Sequence, residues 1–537
     1  MRFPRRAAGA LLAPAVAVSL LALPVSALDG DPGLHDPSTV IEAGGKFYVY
    51  ATGRGLPVSM SDDGWTWRRA GSVMDAVPGG RPGPEVVARG GDATWAPDIV
   101  HVGDKYFLYY AAPGRQPKAA IGLLVGRTLD PASPDYHWTD AGPVVWSDGI
   151  EDSNAIDPGV FHDPTDGSLW LTYGSYFGYI RLVELDPSTG LRRYPDRAPV
   201  DIAINSEASD LTFHDGWYYL FVTHGSCCAG ANSSYNIRMG RARRVTGPYL
   251  DNMGVDMLQG GGKLFAGSRG RSVGPGHFGR LVLGDDVEKF SCHYEADLDR
   301  GGRSVLDIRP LLWRDGWPVA GDNVTAGTYE IESARTGTAL EMAVQGVPVG
   351  GPRGRGAAGR GGRGRGAGAP AGRGRGFGPG GPGRGFGGPG ARGRGATPPA
   401  PIPAQQASDV DAAWPAGPAG VRLAPYMLQA QQKWTIAPVA GAGGYPGSPY
   451  FRIGLAGTER VLAATADGEL TVAPAFTSAP EQLWRIDQLT DGTYRLMPKA
   501  VPGTSAPMAL SAIGSSTPTL ETFRAGSDRG RWLLRTP

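Results

Sequence analysis

Five times along this chain an apolar run rich in Tyr, Phe and Trp stands between turns of Gly, Asp and Pro. The runs are Lys46-Phe-Tyr-Val-Tyr50, Lys105-Tyr-Phe-Leu-Tyr-Tyr110, Ser168-Leu-Trp-Leu-Thr-Tyr173, Trp217-Tyr-Tyr-Leu-Phe221 and Lys289-Phe-Ser-Cys-His-Tyr294. From about residue 30 to 322 no segment sustains a helical period, and the pattern predicts short β-strands throughout. Reference positions Phe47, Tyr106, Leu169, Tyr218 and Phe290 lie 59, 63, 49 and 72 residues apart. That interval suits a four-stranded blade with variable loops, so five repeats predict a five-bladed β-propeller.

A second repeat follows. Thr328-Tyr-Glu-Ile331, Tyr450-Phe-Arg-Ile453 and Thr493-Tyr-Arg-Leu496 each open a β unit, and Gln432-Lys-Trp434, Gln482-Leu-Trp484 and Gly530-Arg-Trp532 each close one. The closing tryptophans are 50 and 48 residues apart. Three such units with a Gln-x-Trp signature resemble the ricin-type β-trefoil. Residues 349–405 interrupt the first unit with Gly-Arg repeats and a Pro-rich tail, too poor in apolar side chains to offset the entropy of ordering. The expected organisation is all-β: a signal peptide at 1–27, a propeller over 28–322 and a β-trefoil-like domain over 323–537 with a disordered insertion at 349–405.

Composition adds the compartment. Arg2, Arg5 and Arg6, an apolar stretch from Ala7 to Pro24 and the small residues Val25-Ser-Ala27 read as a cleaved secretory signal. No later run approaches the ~20 apolar residues that span a bilayer, so a secreted, soluble monomer is expected. Three cysteines give no disulfide framework, the adjacent Cys227-Cys228 could bond only through a strained ring, and the simplest reading is small buried residues. The net charge of +1 is uneven: residues 349–396 hold ten arginines and no acid, leaving −9 for the rest. Arg-Gly repeats can hold phosphates, but an exported chain argues against nucleic acid; weak attachment to acidic pectin is the compatible role.

About ten residues before each aromatic run lies a lead-in: His35-Asp-Pro37, Trp95-Ala-Pro-Asp98, Ile156-Asp-Pro158, Ser206-Glu-Ala208 and Gly276-His277. A ring of blades would gather Asp36, Asp157, Glu207 and His277 around one axis. Asp-Pro alone is an ordinary turn pair. Three acids at matching places in three repeats are not ordinary: Asp36 and Glu207 stand ten residues before their strands and Asp157 eleven, whereas the second repeat has Trp95-Ala96 there and Asp98 points elsewhere. Glycosidic cleavage through an oxocarbenium-like transition state needs one carboxylic acid and one carboxylate, and a third carboxylate nearby raises the acid's pKa by repulsion.

Residues 35–318 resemble glycoside hydrolase family 43, most closely its endo-1,5-α-L-arabinanases. The segments that carry the resemblance are His35-Asp-Pro-Ser38, Thr94-Trp-Ala-Pro-Asp98, Ser153-Asn-Ala-Ile-Asp-Pro158, Ser206-Glu-Ala208, Cys227-Cys228, Ser233-Ser-Tyr-Asn-Ile-Arg238, Gly274-Pro-Gly-His277 and Ile308-Arg-Pro310. It implies an inverting hydrolase of plant cell-wall arabinan with Asp36 as general base, Glu207 as general acid and Asp157 as the group that tunes and orients the acid. It also places His277 near a calcium or similar ion at the axis, held partly through water. An exo-acting α-L-arabinofuranosidase or β-xylosidase and a non-catalytic carbohydrate-binding protein are the alternatives. Trp95 is the candidate for stacking on a furanose, and Asn154 and Ser153 are candidates for bonding sugar hydroxyls. The chain departs from the family's pattern at Ser209 and Phe278. In the trefoil-like units only the first carries an early acid, Glu341, so one weak sugar site at most is expected.

Overall fold

The computed structural model describes residues 28–115, 117–150, 153–344, 414 and 416–537; the expected signal peptide and Gly/Arg insertion lie outside them. Five antiparallel blades follow in chain order. Their second strands are Lys46–Tyr50, Lys105–Pro113, Leu169–Tyr173, Trp217–His224 and Glu288–Asp297. These are the five aromatic runs, and their composition follows from their place. Each is covered on both faces, so alternate side chains enter two different cores. Tyr48 and Tyr50 pack toward the second blade, whereas Phe47 and Val49 pack toward the fifth. Leu108 and Tyr110 face the first blade, and Phe107 and Tyr109 the third.

Successive pairs of blades thus enclose apolar clusters, the last lying between blades five and one around Leu34, Val49, Trp67, Leu281 and Ile308. The ring is closed at that seam by the segment before Asp36: Gly33 bridges to Val305, and the Leu306 N–H donates to the Pro32 carbonyl at 2.9 Å.

The C-terminal region is three four-stranded units opened by Gly327–Ser333, Phe451–Leu455 and Tyr494–Pro498. Trp434, Trp484 and Trp532 are fully buried, and their indole N–H groups donate to Leu340, Leu462 and Leu510 carbonyls at 2.8, 3.0 and 2.8 Å. The glutamine two residues earlier clamps the preceding loop. Gln432 Oε1 accepts from the Met427 N–H and Gln482 Oε1 from the Thr477 N–H, which explains the Gln-x-Trp pairing. Strands Ala339–Met342 and Ala419–Ala424 pair directly with each other across the undescribed segment.

This region is fastened to blade five by buried charge. Asp487 is fully buried with Arg485 Nε at 2.7 Å and Arg495 Nη2 at 2.9 Å, and blade-five Lys289 is buried among the charges facing it. Burial and then the nearby guanidinium of Arg485, against the pull of Asp487, bring Lys289 down to about 8. Asp487→Ala removes the anion that Arg485, Arg495 and Lys289 share, leaving Arg495 its bond to the exposed Asp285 at 3.1 Å, and a loss of about 3 kcal/mol in unfolding free energy is expected by denaturant titration; an unchanged midpoint would refute the role given to this cluster.

One expectation is corrected here. Cys227 and Cys228 are bonded to each other on a turn with Cys228 exposed, not small buried residues. Cys292 is buried as expected.

Candidate functional site

Each blade enters its innermost strand through the same backbone device. Trp95 pairs with Ala111 and Asp98 with Tyr109, three residues on one strand against two on the other. Glu207/Asp210 against Thr223/Phe221 and Gly276/Gly279 against His293/Ser291 repeat that register. In blades one and three the same step is made by Thr52 N–H to His35 O with Ser38 on Tyr50, and by Gly174 N–H to Ile156 O with Gly159 on Thr172. A bulge of this kind kinks the strand and re-aims side chains. Its second residue is left-handed in all five blades: Asp36, Ala96, Asp157, Ala208 and His277 have φ of 48, 36, 55, 47 and 56°. Non-glycine residues held there cost about 1–3 kcal/mol each and gather at functional sites.

The register corrects the count made from the sequence. Glu207 is not the counterpart of Asp36 and Asp157; Ala208 is. Glu207 holds the first bulge position, shared with His35, Trp95, Ile156 and Gly276. Asp98 is also corrected. It matches Asp210 at the fourth position and turns to the axis, where its two oxygens accept the Thr39 N–H at 2.9 Å and the Val160 N–H at 2.8 Å, stapling three blades together.

Asp36 is the most heavily partnered group. Thr52 Oγ1 donates to its Oδ2 at 2.7 Å, His35 Nδ1 lies 2.9 Å from the same oxygen, and His277 Nε2 lies 3.0 Å from Oδ1. Burial alone would raise its pKa; the charges and hydrogen bonds of His277 and His35 override that and hold it well below the usual carboxylate range. A carboxylate offers about four lone-pair directions. Three are taken, so one on Oδ1 remains for a water.

Glu207 is gripped at both oxygens, by Ser175 Oγ at 2.7 Å on Oε2 and by the Tyr235 hydroxyl on Oε1. Asp157 accepts the Ala208 N–H at 3.3 Å and so holds the bulge that aims Glu207. Its carboxyl is pushed up to about 8, first by burial and then by the charge of Glu207. The Asp157 carboxyl therefore keeps its proton at neutral pH.

Trp95 is 40% exposed beside this cluster, and Tyr176 and Phe177 on the loop after Ser175 are 38% and 55% exposed. Ser153 and Asn154 are not brought onto the open cleft: they are 2% and 1% exposed and shape the turn leading to Asp157. Phe278 stacks on Phe221 at 3.7 Å and fills the core between blades four and five. Glu341 is 1% exposed, with Oε2 accepting from Gln432 Nε2 at 2.8 Å and Oε1 from Arg422, so its carboxylate serves internal bonds.

The expected calcium site corresponds to an axial cavity lined by His277 and the carboxyls of Asp98, Asp157 and Asp210. Calcium takes six to eight oxygen ligands. His277 offers an imidazole already engaged by Asp36, both Asp98 oxygens accept backbone N–H groups, and the axial cavity beneath is about 20 Å³, room for about one water. The neighbouring cluster of His35, Asp36 and His293 is likewise bonded internally.

His35, Tyr235 and His293 lie in segments visible in the sequence but were given no role there, and Thr52, Ser175 and Glu295 carry no sequence signal.

The pattern that defines Glycosyl hydrolases family 43 matches residues 31–318. The chain is 35% identical over 296 residues to the extracellular endo-alpha-(1->5)-L-arabinanase 1 of Bacillus subtilis (strain 168), covering 53% of this chain and 87% of that protein. It is 34% identical over 306 residues to the extracellular exo-alpha-(1->5)-L-arabinofuranosidase ArbA of Cellvibrio japonicus (strain Ueda107), covering 53% and 85%. Among solved structures, a mutant Cellvibrio cellulosa alpha-L-arabinanase superposes with a TM-score of 0.50 at 30% identity, over 54% of this chain and 96% of that one. A five-bladed ring with three carboxylates at its axis, and a family match across all five blades, make this chain a glycosidase belonging to glycosyl hydrolase family 43.

Proposed function

We propose that the protein is a secreted, inverting hydrolase of α-1,5-L-arabinofuranosidic bonds in arabinan, acting within the chain. The observation that supports this most is the contrast between two carboxyl environments on one axis. Asp36 is held ionised by His277 and His35, whereas the Asp157 carboxyl, buried beside the charge of Glu207, is pushed up to about 8. Inverting hydrolysis asks for that division. Asp36 takes a proton from the water on its remaining lone pair, the water attacks the anomeric carbon, and Glu207 protonates the departing oxygen as Asp157 holds its bulge. Trp95 offers a stacking face for a furanose. Secretion is supported by the extracellular relatives, and among the described residues no helix is long and apolar enough to cross a membrane.

Debranched arabinan separates the readings. A spread of oligosaccharides supports internal cleavage; arabinose alone supports the exo action suggested by the Cellvibrio japonicus relative. No turnover at all would leave a carbohydrate-binding protein. Proton magnetic resonance of the first product should show the anomer opposite to that of the substrate.

A pH dependence follows from Asp157. Its folded pKa is raised, so Asp157 keeps its proton below about 8 and loses it above. Activity on arabinan should therefore fall as pH rises through about 8, and Asp157→Asn should displace that limb from about 8 while lowering the plateau by about tenfold or more. An identical alkaline limb in the variant would contradict the assignment.

A further inference from the structure

We propose that Glu295 is a positioning residue for the general base, fixing the Asp36 carboxylate through His35. The inference rests on the reading of Asp36 given above. Glu295 sits near the end of the second strand of blade five and is 5% exposed. Its Oε1 lies 2.7 Å from His35 Nε2 and 3.2 Å from His293 Nε2, and its Oε2 accepts the Cys228 N–H at 2.7 Å. One buried carboxylate therefore ties blade five to the lead-in of blade one and to the disulfide-bearing turn of blade four.

His35 is held between two carboxylates, Glu295 at Nε2 and Asp36 at Nδ1. An ionised carboxylate only accepts hydrogen bonds, so both ring nitrogens must carry a proton and the ring is an imidazolium. The ring is further fixed by stacking on His293, with centroids 4.6 Å apart. His293 Nδ1 in turn accepts the Asp36 N–H at 2.8 Å, so backbone and side chain of the base are clamped by the same group of residues. Burial opposes the His35 charge, but hydrogen bonds and attraction from Asp36 and Glu295 raise its pKa to about 10.

The consequence is directional. His35 and Thr52 together fill Asp36 Oδ2, which leaves the water to Oδ1. Without the charge of Glu295 the ring loses the acceptor that holds its Nε2 and part of the attraction that keeps it charged, so the hydrogen bond it gives Asp36 is weaker and less directed. The carboxylate is then free to rotate away from the line of attack, and a misplacement of about 1 Å costs up to about 10²-fold in rate.

The test is a double-mutant cycle on debranched arabinan with the full chain. Glu295→Gln and His35→Gln are each expected to lower kcat by about 10- to 50-fold with KM within about twofold, and the double variant to be no slower than the slower single. Losses that multiply in the double variant, or an unchanged kcat for Glu295→Gln, overturn the proposal. Should Glu295→Gln fail to fold, His35→Gln alone decides, because it removes the clamp and keeps the Glu295 bond to Cys228; an unchanged kcat there also overturns it. Asp36→Asn run alongside separates the two claims. If that variant keeps its activity, the assignment of the base fails. If it is inactive and Glu295→Gln is not impaired, only the positioning role fails.

Discussion

Glu207→Gln is expected to lower kcat on debranched arabinan by about 10³- to 10⁴-fold, within the range for loss of a positioned general acid. The substitution is isosteric, so the environment of Ser175 and Tyr235 stays nearly filled and the blade should remain folded. What disappears is the transferable proton. The sharper measurement compares leaving groups. A nitrophenyl arabinofuranoside departs with little protonation, so the same variant should lose only about tenfold on it. Equal losses on both substrates would mean that Glu207 does something other than protonate the leaving oxygen.

Asp36→Asn should cost about 10³-fold as well, but with no dependence on the leaving group. An amide cannot take the proton of the attacking water, whichever group departs, so arabinan and the nitrophenyl substrate should suffer alike. The amide also turns an NH₂ toward Thr52, His35 or His277, each of which donates or lies at hydrogen-bonding distance in the native site. KM should change little, because Asp36 faces the water rather than the sugar chain. A loss confined to arabinan would move Asp36 to the leaving-group side and reverse the two roles.

The architecture was legible because each blade repeats one two-sided aromatic strand, and period-two patterning survives loops of any length. The site was legible only in part. Asp36 and Asp157 stand directly before Pro at a sharp turn and announce themselves. Glu207 was found, yet placed one residue off, because counting back from a strand cannot see where hydrogen-bond register slips at a bulge. Trp95 and Glu207 prove to be the same place in two blades, an exposed indole in one and a buried carboxyl in the other. Of the residues that hold these groups, Thr52 and Tyr235 lie in the same blades as Asp36 and Glu207, whereas Ser175 and Glu295 reach them from the neighbouring blade. Their spacing carries no period, since they come from strand ends and loops of variable length.

That closure has a kinetic meaning. Asp36 lies three residues beyond Gly33, which bridges to Val305 across the seam between the first and last blades. His277, His293 and Glu295 all belong to blade five. Asp36 therefore meets His277 and His293 only when contacts separated by nearly the whole propeller have formed, and such non-local pairings are slow to establish. During refolding the aromatic signal of the individual blades should recover first and hydrolysis last, in step with the seam. An enzyme assembled this way has no active half-folded form.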